Sequence, residues 1–196
     1  MLILSPRFDQ ALQYASELHR RQARKGTTIP YIAHLMSVTA LVLEDGGSED
    51  EAIAALLHDA VEDQGGQATL AEIRRRFGVQ VAGWVAELSD ADTLPKPPWR
   101  ERKEQYIAHL AQAGPVVLRI SLADKLHNAR SIRDDVRQEG EATWERFKGG
   151  KAGSLWYYRR LADFFQQRLA SPRAAELERI VSELEALGGG SSTPPG

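Results

Sequence analysis

An all-α domain of about eight or nine helices is what this sequence predicts. Three observations carry the expectation. Apolar residues recur at helical spacing along most of the chain, strand-type alternation is almost missing, and helix ends are punctuated by prolines, glycines and capping boxes. At 196 residues and 42% hydrophobic content the chain is long enough to bury one full core. The expected boundaries are a single compact domain over residues 1–188 and a disordered tail over 189–196, in the low-complexity end "GGGSSTPPG".

The elements follow in order. In "SPRFDQALQYASELHRRQA", Phe8, Leu12, Ala15 and Leu18 share a helical face, with Ser5 as N-cap and Pro6 at the first helical position. Pro30 opens a second helix whose stripe is Ile32, Leu35, Met36, Thr39, Val42 and Leu43, stopped by Gly46-Gly47. Ser48 to Glu51 is a capping box, and the helix it starts runs through "AALLHDAVED" to Gly65-Gly66. A second box, Thr69 to Glu72, starts "LAEIRRRFG", with Gly78 as its stop, and "VQVAGWVAELSD" follows as another helix. Residues 92 to 98 form a loop, because their prolines forbid a helix interior. "WRERKEQYIAHLAQAG" is helical. Pro115 starts an apolar helix in which a strand through Val116 to Ile120 is the rival reading. "GSLWYYRRLADFFQQRLA" and "AAELERIVSELEALG" complete the set.

Composition narrows the function classes. There is no cysteine, which excludes disulfides and thiolate metal sites and fits a cytoplasmic protein. The opening "MLILSPRFDQ" lacks the features of a signal peptide, and no apolar run approaches the ~18 residues that span a bilayer. A net charge of -2 carries no nucleic-acid or membrane footprint. The basic clusters Arg20-Arg21 with Arg24-Lys25, and Arg74 to Arg76, read by themselves as solvated helix faces.

The chemistry concentrates in "HDAVED", residues 58 to 63. On a continuous helix at about 100° per residue, Glu62 would fall near 40° from His58, Asp59 near 100° and Asp63 near 140°. One imidazole and three carboxylates would then share an arc at the end of a buried helix. Adjacent buried carboxylates repel and are costly to desolvate. His34 lies within the apolar stripe of the preceding helix and Asp124 within "ISLADKLHNA", and each needs a partner if buried. A divalent cation held by His34, His58, Asp59 and Asp124 would satisfy all four. This sulfur-free N/O set suits Mn²⁺ or Fe²⁺, and is compatible with Co²⁺ or Zn²⁺. Such an ion acts as a Lewis acid on a phosphoryl oxygen and acidifies water. Glu62 and Asp63 are left as non-ligands, placed to orient a water or carry its proton.

These residues resemble the metal-dependent phosphohydrolase superfamily named for its His-Asp doublet. Within it, "RK" at 24–25, "PYIAH" at 30–34, "HDAVED" at 58–63 and "LADKLHNAR" at 122–130 resemble the hydrolase domain of the RelA/SpoT stringent-response enzymes, over roughly residues 7 to 165. The resemblance implies an all-α HD-type domain with its metal site in the core, acting as a stand-alone small alarmone hydrolase. The implied reaction is Mn²⁺-dependent removal of the 3′-pyrophosphate from a guanosine or adenosine 5′-di- or triphosphate 3′-diphosphate.

By the same resemblance, His34, His58, Asp59 and Asp124 are metal ligands and Glu62 with Asp63 the catalytic pair. Arg24 and Lys25 line the nucleoside pocket, and Asn128 and Ser131 form its polar edge. Lys96, an ordinary loop lysine when read alone, holds the 5′-phosphates, and Lys151 and Tyr157 contribute to the phosphate pocket. The partner implied is a nucleotide; the sequence leaves monomer and homo-oligomer both open. Departures sit at Arg21, where the larger enzymes usually have Gly, at Leu35, where they have Pro, and in one extra residue between "RK" and "PY". They put the base preference in doubt. His19, His109 and His127 are expected on helix surfaces or in packing. Two other readings remain: a different HD-family phosphohydrolase, of 5′-nucleotidase type, and an alarmone-binding sensor without turnover.

Overall fold

The computed structural model describes residues 2–89 and 97–189. Most of the predicted loop at 92–98, with Lys96, therefore lies outside the described residues, as does the tail from residue 190. Among the described residues there are ten α-helices and one 3₁₀ helix, with no strand beyond a single bridge between Ala23 and Pro30. The chain is all-α, as expected. It divides into two compact units, Met1–Lys96 with Gln112–Asp124, and Pro97–Ala111 with Lys125–Gly196.

In the first unit, α1 (Pro6–Leu18) begins as its sequence predicts, with the Ser5 hydroxyl accepting from the Arg7 N–H at 3.2 Å and Pro6 in the first turn. The Ser5 N–H also donates to Glu49 Oε1, and Arg7 donates to Asp50 Oδ1 at 2.8 Å, which ties the start of α1 to the helix that begins at Glu49. Helix α2 (Ile32–Glu44) buries Leu35, Val38, Leu41 and Val42; Met36, counted in its predicted stripe, is 47% exposed.

Helix α3 (Glu49–Leu56) opens on the predicted capping box, with the Ser48 hydroxyl accepting from the Glu51 N–H and the Glu51 carboxylate accepting from the Ser48 N–H. Glu51 has a second task. Its carboxylate pairs with Arg119 of the later helix α8 (Pro115–Glu139), whose Nε lies 3.5 Å from Asp45 at the end of α2. One guanidinium thus fastens the part of α8 that carries Asp124 to the ends of two other helices. Gly47 is required beneath this contact: a Cβ there would lie 2.6 Å from Val42 Cγ1 and 2.8 Å from Glu51 Oε2.

Two expectations need correction. The helix from Ser48 does not continue through Asp63; it stops at Leu56, residues 57–59 form a turn, and α4 (Ala60–Asp63) follows. The cause is local. The His58 Nδ1–H donates to the Ala55 carbonyl at 2.8 Å, the acceptor that a continuing helix would offer to the Asp59 N–H. The predicted helical arc of four polar groups therefore does not form. Nor does Thr69 cap a helix. Helix α5 (Gly66–Phe77) starts earlier because Gly65 adopts φ +114°, and the Thr69 hydroxyl donates to the Gln64 carbonyl from inside the first turn. The split at 57–59 adds a helix to the eight or nine expected, giving ten among the described residues. Gly78, at φ +94°, separates α5 from α6 (Val79–Leu88) as predicted.

Helix α8 (Pro115–Glu139) settles the rival reading at 116–120 in favour of helix, with Val117, Ile120 and Leu122 buried. In the second unit α7 (Trp99–Leu110) seats Trp99 where Gly149 and Gly153 have no side chains, since a Cβ on either would come within 2.6 and 3.0 Å of the indole. A 3₁₀ helix, Gly140–Arg146, precedes α9 (Gly150–Arg168) and was not anticipated. Helix α10 (Pro172–Gly189) packs on α9 and extends one residue into the segment expected as tail. Arg159 of α9 clamps that pair, donating to Glu178 at 2.6 and 2.7 Å and to Glu185 at 2.6 and 3.0 Å. No helix among the described residues is long and apolar enough to cross a membrane.

Candidate metal centre

Four side chains converge inside the first unit. His34 comes from the first turn of α2, His58 and Asp59 from the turn between α3 and α4, and Asp124 from α8. His34 and His58 are 1% and 4% exposed. The donor atoms of His34, His58 and Asp59 lie within 4.8 Å of one another. His34 Nε2 is 3.2 Å from Asp124 Oδ1 and 3.7 Å from Asp59 Oδ2; His58 Nε2 is 3.0 Å from Asp59 Oδ2 and 3.8 Å from Asp124 Oδ1. The predicted set is brought together, by a different local structure from the one the sequence suggested. Neighbouring residues on a helix diverge by about 100°, whereas the turn lets His58 and Asp59 face one point.

The fit of this set to a cation rests on His58. With Nδ1–H committed to the Ala55 carbonyl, the neutral ring would present its Nε2 lone pair toward two carboxylates, Asp59 Oδ2 at 3.0 Å and Asp124 Oδ1 at 3.8 Å. A lone pair facing anionic oxygens is repulsive, and a positive charge placed between them removes the conflict. A backbone carbonyl on the far nitrogen is also how metal-binding imidazoles are oriented. The electrostatics point the same way. Burial disfavours the imidazolium, but the Asp59 and Asp124 carboxylates outweigh it and lift His58 to about 9. Burial opposes ionisation of Asp59, yet the His58 imidazole and its hydrogen bond hold that carboxyl well below the usual range. His34 goes the other way, because burial exceeds the pull of Asp124. The space facing Nε2 favours positive charge, whether a proton or a metal ion.

Beside this set lies Tyr31, the aromatic residue of "PYIAH". Tyr31 donates its hydroxyl to Asp59 Oδ2 at 2.6 Å. Burial first, then the Asp59 charge, push the phenol far above its ordinary pKa, so it remains a donor. The ring lies edge-on to His34 at 5.5 Å and stacks on His19 at 5.2 Å. His19 is buried, as the packing expectation allows, and its Nδ1 contacts Gln22 Oε1 at 2.7 Å.

The acidic pair is exposed on α4, three and four residues past Asp59, and Asp63 Oδ2 accepts from Gln22 Nε2 at 2.7 Å. In the same unit, the half-buried Arg24 holds its guanidinium 5.8 Å above the Tyr31 ring, and Lys25 is exposed. In the second unit, Asn128 lies four residues beyond Asp124 on α8, and the Ser131 hydroxyl donates back to the His127 carbonyl. Lys151 donates to Glu141 Oε1 at 2.7 Å, and Tyr157 is buried, with the Lys103 ammonium 4.9 Å from its ring centre.

Residues 11–154 match the HD domain family. The chain belongs to that family. It is 39% identical over 128 residues to the guanosine-3′,5′-bis(diphosphate) 3′-pyrophosphohydrolase of Homo sapiens, covering 63% of this chain and 68% of that protein. A Xenopus tropicalis relative of the same name is 39% identical over 127 residues, with 63% and 68% covered. The GTP pyrophosphokinase of Streptomyces coelicolor is 36% identical over 135 residues, which span 68% of this chain and 16% of that one. Among solved structures, a metazoan ortholog of SpoT described as hydrolysing ppGpp superposes with a TM-score of 0.77 at 28% identity, covering 93% of this chain and 98% of the other. A Listeria monocytogenes crystal structure gives 0.67 at 32% identity, with 76% and 96% covered.

Proposed function

We propose that this chain is a metal-dependent 3′-pyrophosphohydrolase of (p)ppGpp-type alarmones, yielding GDP or GTP and pyrophosphate. The observation that carries the reading is the buried His58 imidazole, anchored through Nδ1 on the Ala55 carbonyl and aiming Nε2 at the Asp59 and Asp124 carboxylates. Its kinship with 3′-pyrophosphohydrolases over 63% of the chain supports the substrate class. In this reading His34, His58, Asp59 and Asp124 hold one divalent ion, Mn²⁺ by preference. That ion would supply Lewis acidity at the scissile phosphorus and lower the pKa of water.

The remaining work belongs to the chain. The water oxygen joins the phosphorus attached to the 3′-oxygen, the bond from that phosphorus to the 3′-oxygen breaks, and the 3′-oxygen takes a proton. Asp63 and Glu62 orient the water and accept its proton. Arg24 and Lys25 meet the nucleoside, and Lys96, Asn128 and Ser131 are proposed as further substrate contacts. Tyr157 and Lys151 are proposed for the phosphates; Lys151 takes that role by exchanging Glu141 for a phosphate oxygen. The hydrolase domain so defined runs over residues 1–188.

The test is incubation of Mn²⁺-loaded protein with guanosine and adenosine alarmones side by side. Pyrophosphate release from the guanosine compound is expected, and release from the adenosine compound would extend the base range. Orthophosphate as the product would replace the reading with a nucleotidase. Tight alarmone binding without any product would make the chain a sensor.

A further inference from the structure

A chain of side-chain contacts leads from the buried end of α1 to the exposed carboxylate of Asp63. Gln22 is its middle. Its Nε2 donates to Asp63 Oδ2 at 2.7 Å, its Oε1 accepts from Gln64 Nε2 at 2.6 Å, and the same Oε1 lies 2.7 Å from His19 Nδ1. The chemistry of these partners fixes every orientation. An ionised carboxylate only accepts, so the amide nitrogen must face Asp63. The amide oxygen then faces two nitrogens, and His19 must carry its hydrogen on Nδ1. The ring doing this is 2% exposed and stacked on Tyr31, with 17° between the planes. Tyr31 reaches Asp59 through its hydroxyl, and its N–H donates to the Gln22 carbonyl at 2.9 Å. His19 is thus a hub with two arms: through Gln22 to Asp63, and through Tyr31 to Asp59.

Asp63 needs such a restraint. It is exposed at the end of a four-residue helix, where a short acidic side chain would otherwise sample several rotamers. Misplacing a reacting group by about 1 Å can cost about 10²-fold in rate. We propose that Gln22, locked from behind by His19, is the positioning residue that aims Asp63. The inference rests on the hydrolase reading above, and on Asp63 handling the water in it.

The test uses the full chain loaded with Mn²⁺, turning over a guanosine alarmone. Gln22→Met removes both polar ends of the side chain. Gln22→Glu keeps the acceptor for His19 and Gln64 but loses the donor to Asp63. Both are expected to lower kcat by about tenfold or more while KM stays within about threefold and Mn²⁺ affinity, measured by calorimetry, is unchanged. Adding Gln22→Met to Asp63→Asn should produce no further loss, because the aim of a group already removed has no value. A purely structural glutamine would give additive losses. Wild-type kcat in both single variants, additive losses, or a change confined to KM would each overturn the inference. An independent readout is the Gln22 side-chain amide in ¹⁵N NMR, which should shift on Asp63→Asn in metal-free protein; an unmoved resonance counts against the link. If the wild-type chain releases no product, the hydrolase reading fails, and the NMR arm still decides whether Gln22 holds Asp63.

Discussion

The Tyr31 hydroxyl donates to Asp59 Oδ2 at 2.6 Å, so the most exposed of the four converging side chains is steered by a residue three positions before His34. Outer-shell partners of this kind tune affinity about 10- to 100-fold. Tyr31→Phe keeps the ring against His19 and His34 and removes only the donor. Mn²⁺ affinity should fall by about tenfold, measured by calorimetry, with the melting temperature of the metal-free protein nearly unchanged.

The proposed ligand and water-handling roles separate by substitution. Asp59→Ala, or treatment with a chelator, should abolish turnover while circular dichroism retains the helical signal. Glu62→Ala should keep its metal by elemental analysis and lose about 10²-fold or more in kcat, the usual scale of general acid–base help. Wild-type cleavage by metal-loaded Glu62→Ala would falsify the role given to that carboxylate.

Gly47→Ala tests the frame behind the site. The added methyl meets Val42 and the Glu51 carboxylate that also holds Arg119. Overpacking of this type costs about 1–3 kcal/mol. Chemical denaturation should register that loss, whereas Gly83→Ala, where nothing lies within 4 Å of the added carbon, should not.

The Arg159 clamp makes a pH prediction for the second unit. Its guanidinium hydrogen bonds hold the Glu178 carboxyl below its ordinary value of 4.5. A depressed folded-state pKa contributes stability that is present above the unfolded value and is lost as pH falls through the folded one. Arg159→Leu should therefore destabilise at pH 7 and progressively less below about pH 4.5. These groups are partly solvated, so the difference at pH 7 should be about 1 kcal/mol or less. A mutant deficit that stays constant down to pH 3 would show that the clamp acts through packing alone.

The legibility of this chain in its sequence varied with the range of the interaction. The Ser48–Glu51 box and the Ser5 cap were readable because both partners sit within three residues, and both form. The Thr69–Glu72 box has the same pattern and does not act as a cap, because the left-handed Gly65 starts the helix first and the hydroxyl turns to Gln64. His34 and Asp124 are legible as polar residues inside apolar patterns, and His58 with Asp59 as part of a dense polar cluster; neither signal needs knowledge of the turn. Gln22 lay hidden in a basic surface segment, since its meaning depends on Asp63, 41 residues away. Arg119 is illegible for the same reason; its partner Glu51 is 68 positions distant.

The stop at Leu56 has a consequence for engineering and for searching. A His-Asp dipeptide carried along an unbroken helix sends its two side chains to different quadrants and cannot chelate. The transferable unit is the dipeptide together with the preceding carbonyl that the imidazole captures, a self-terminating peptide in which the histidine ends its own helix and thereby frees its neighbour to turn inward. Moving the two letters alone into another helical scaffold would carry over the spelling and leave the geometry behind.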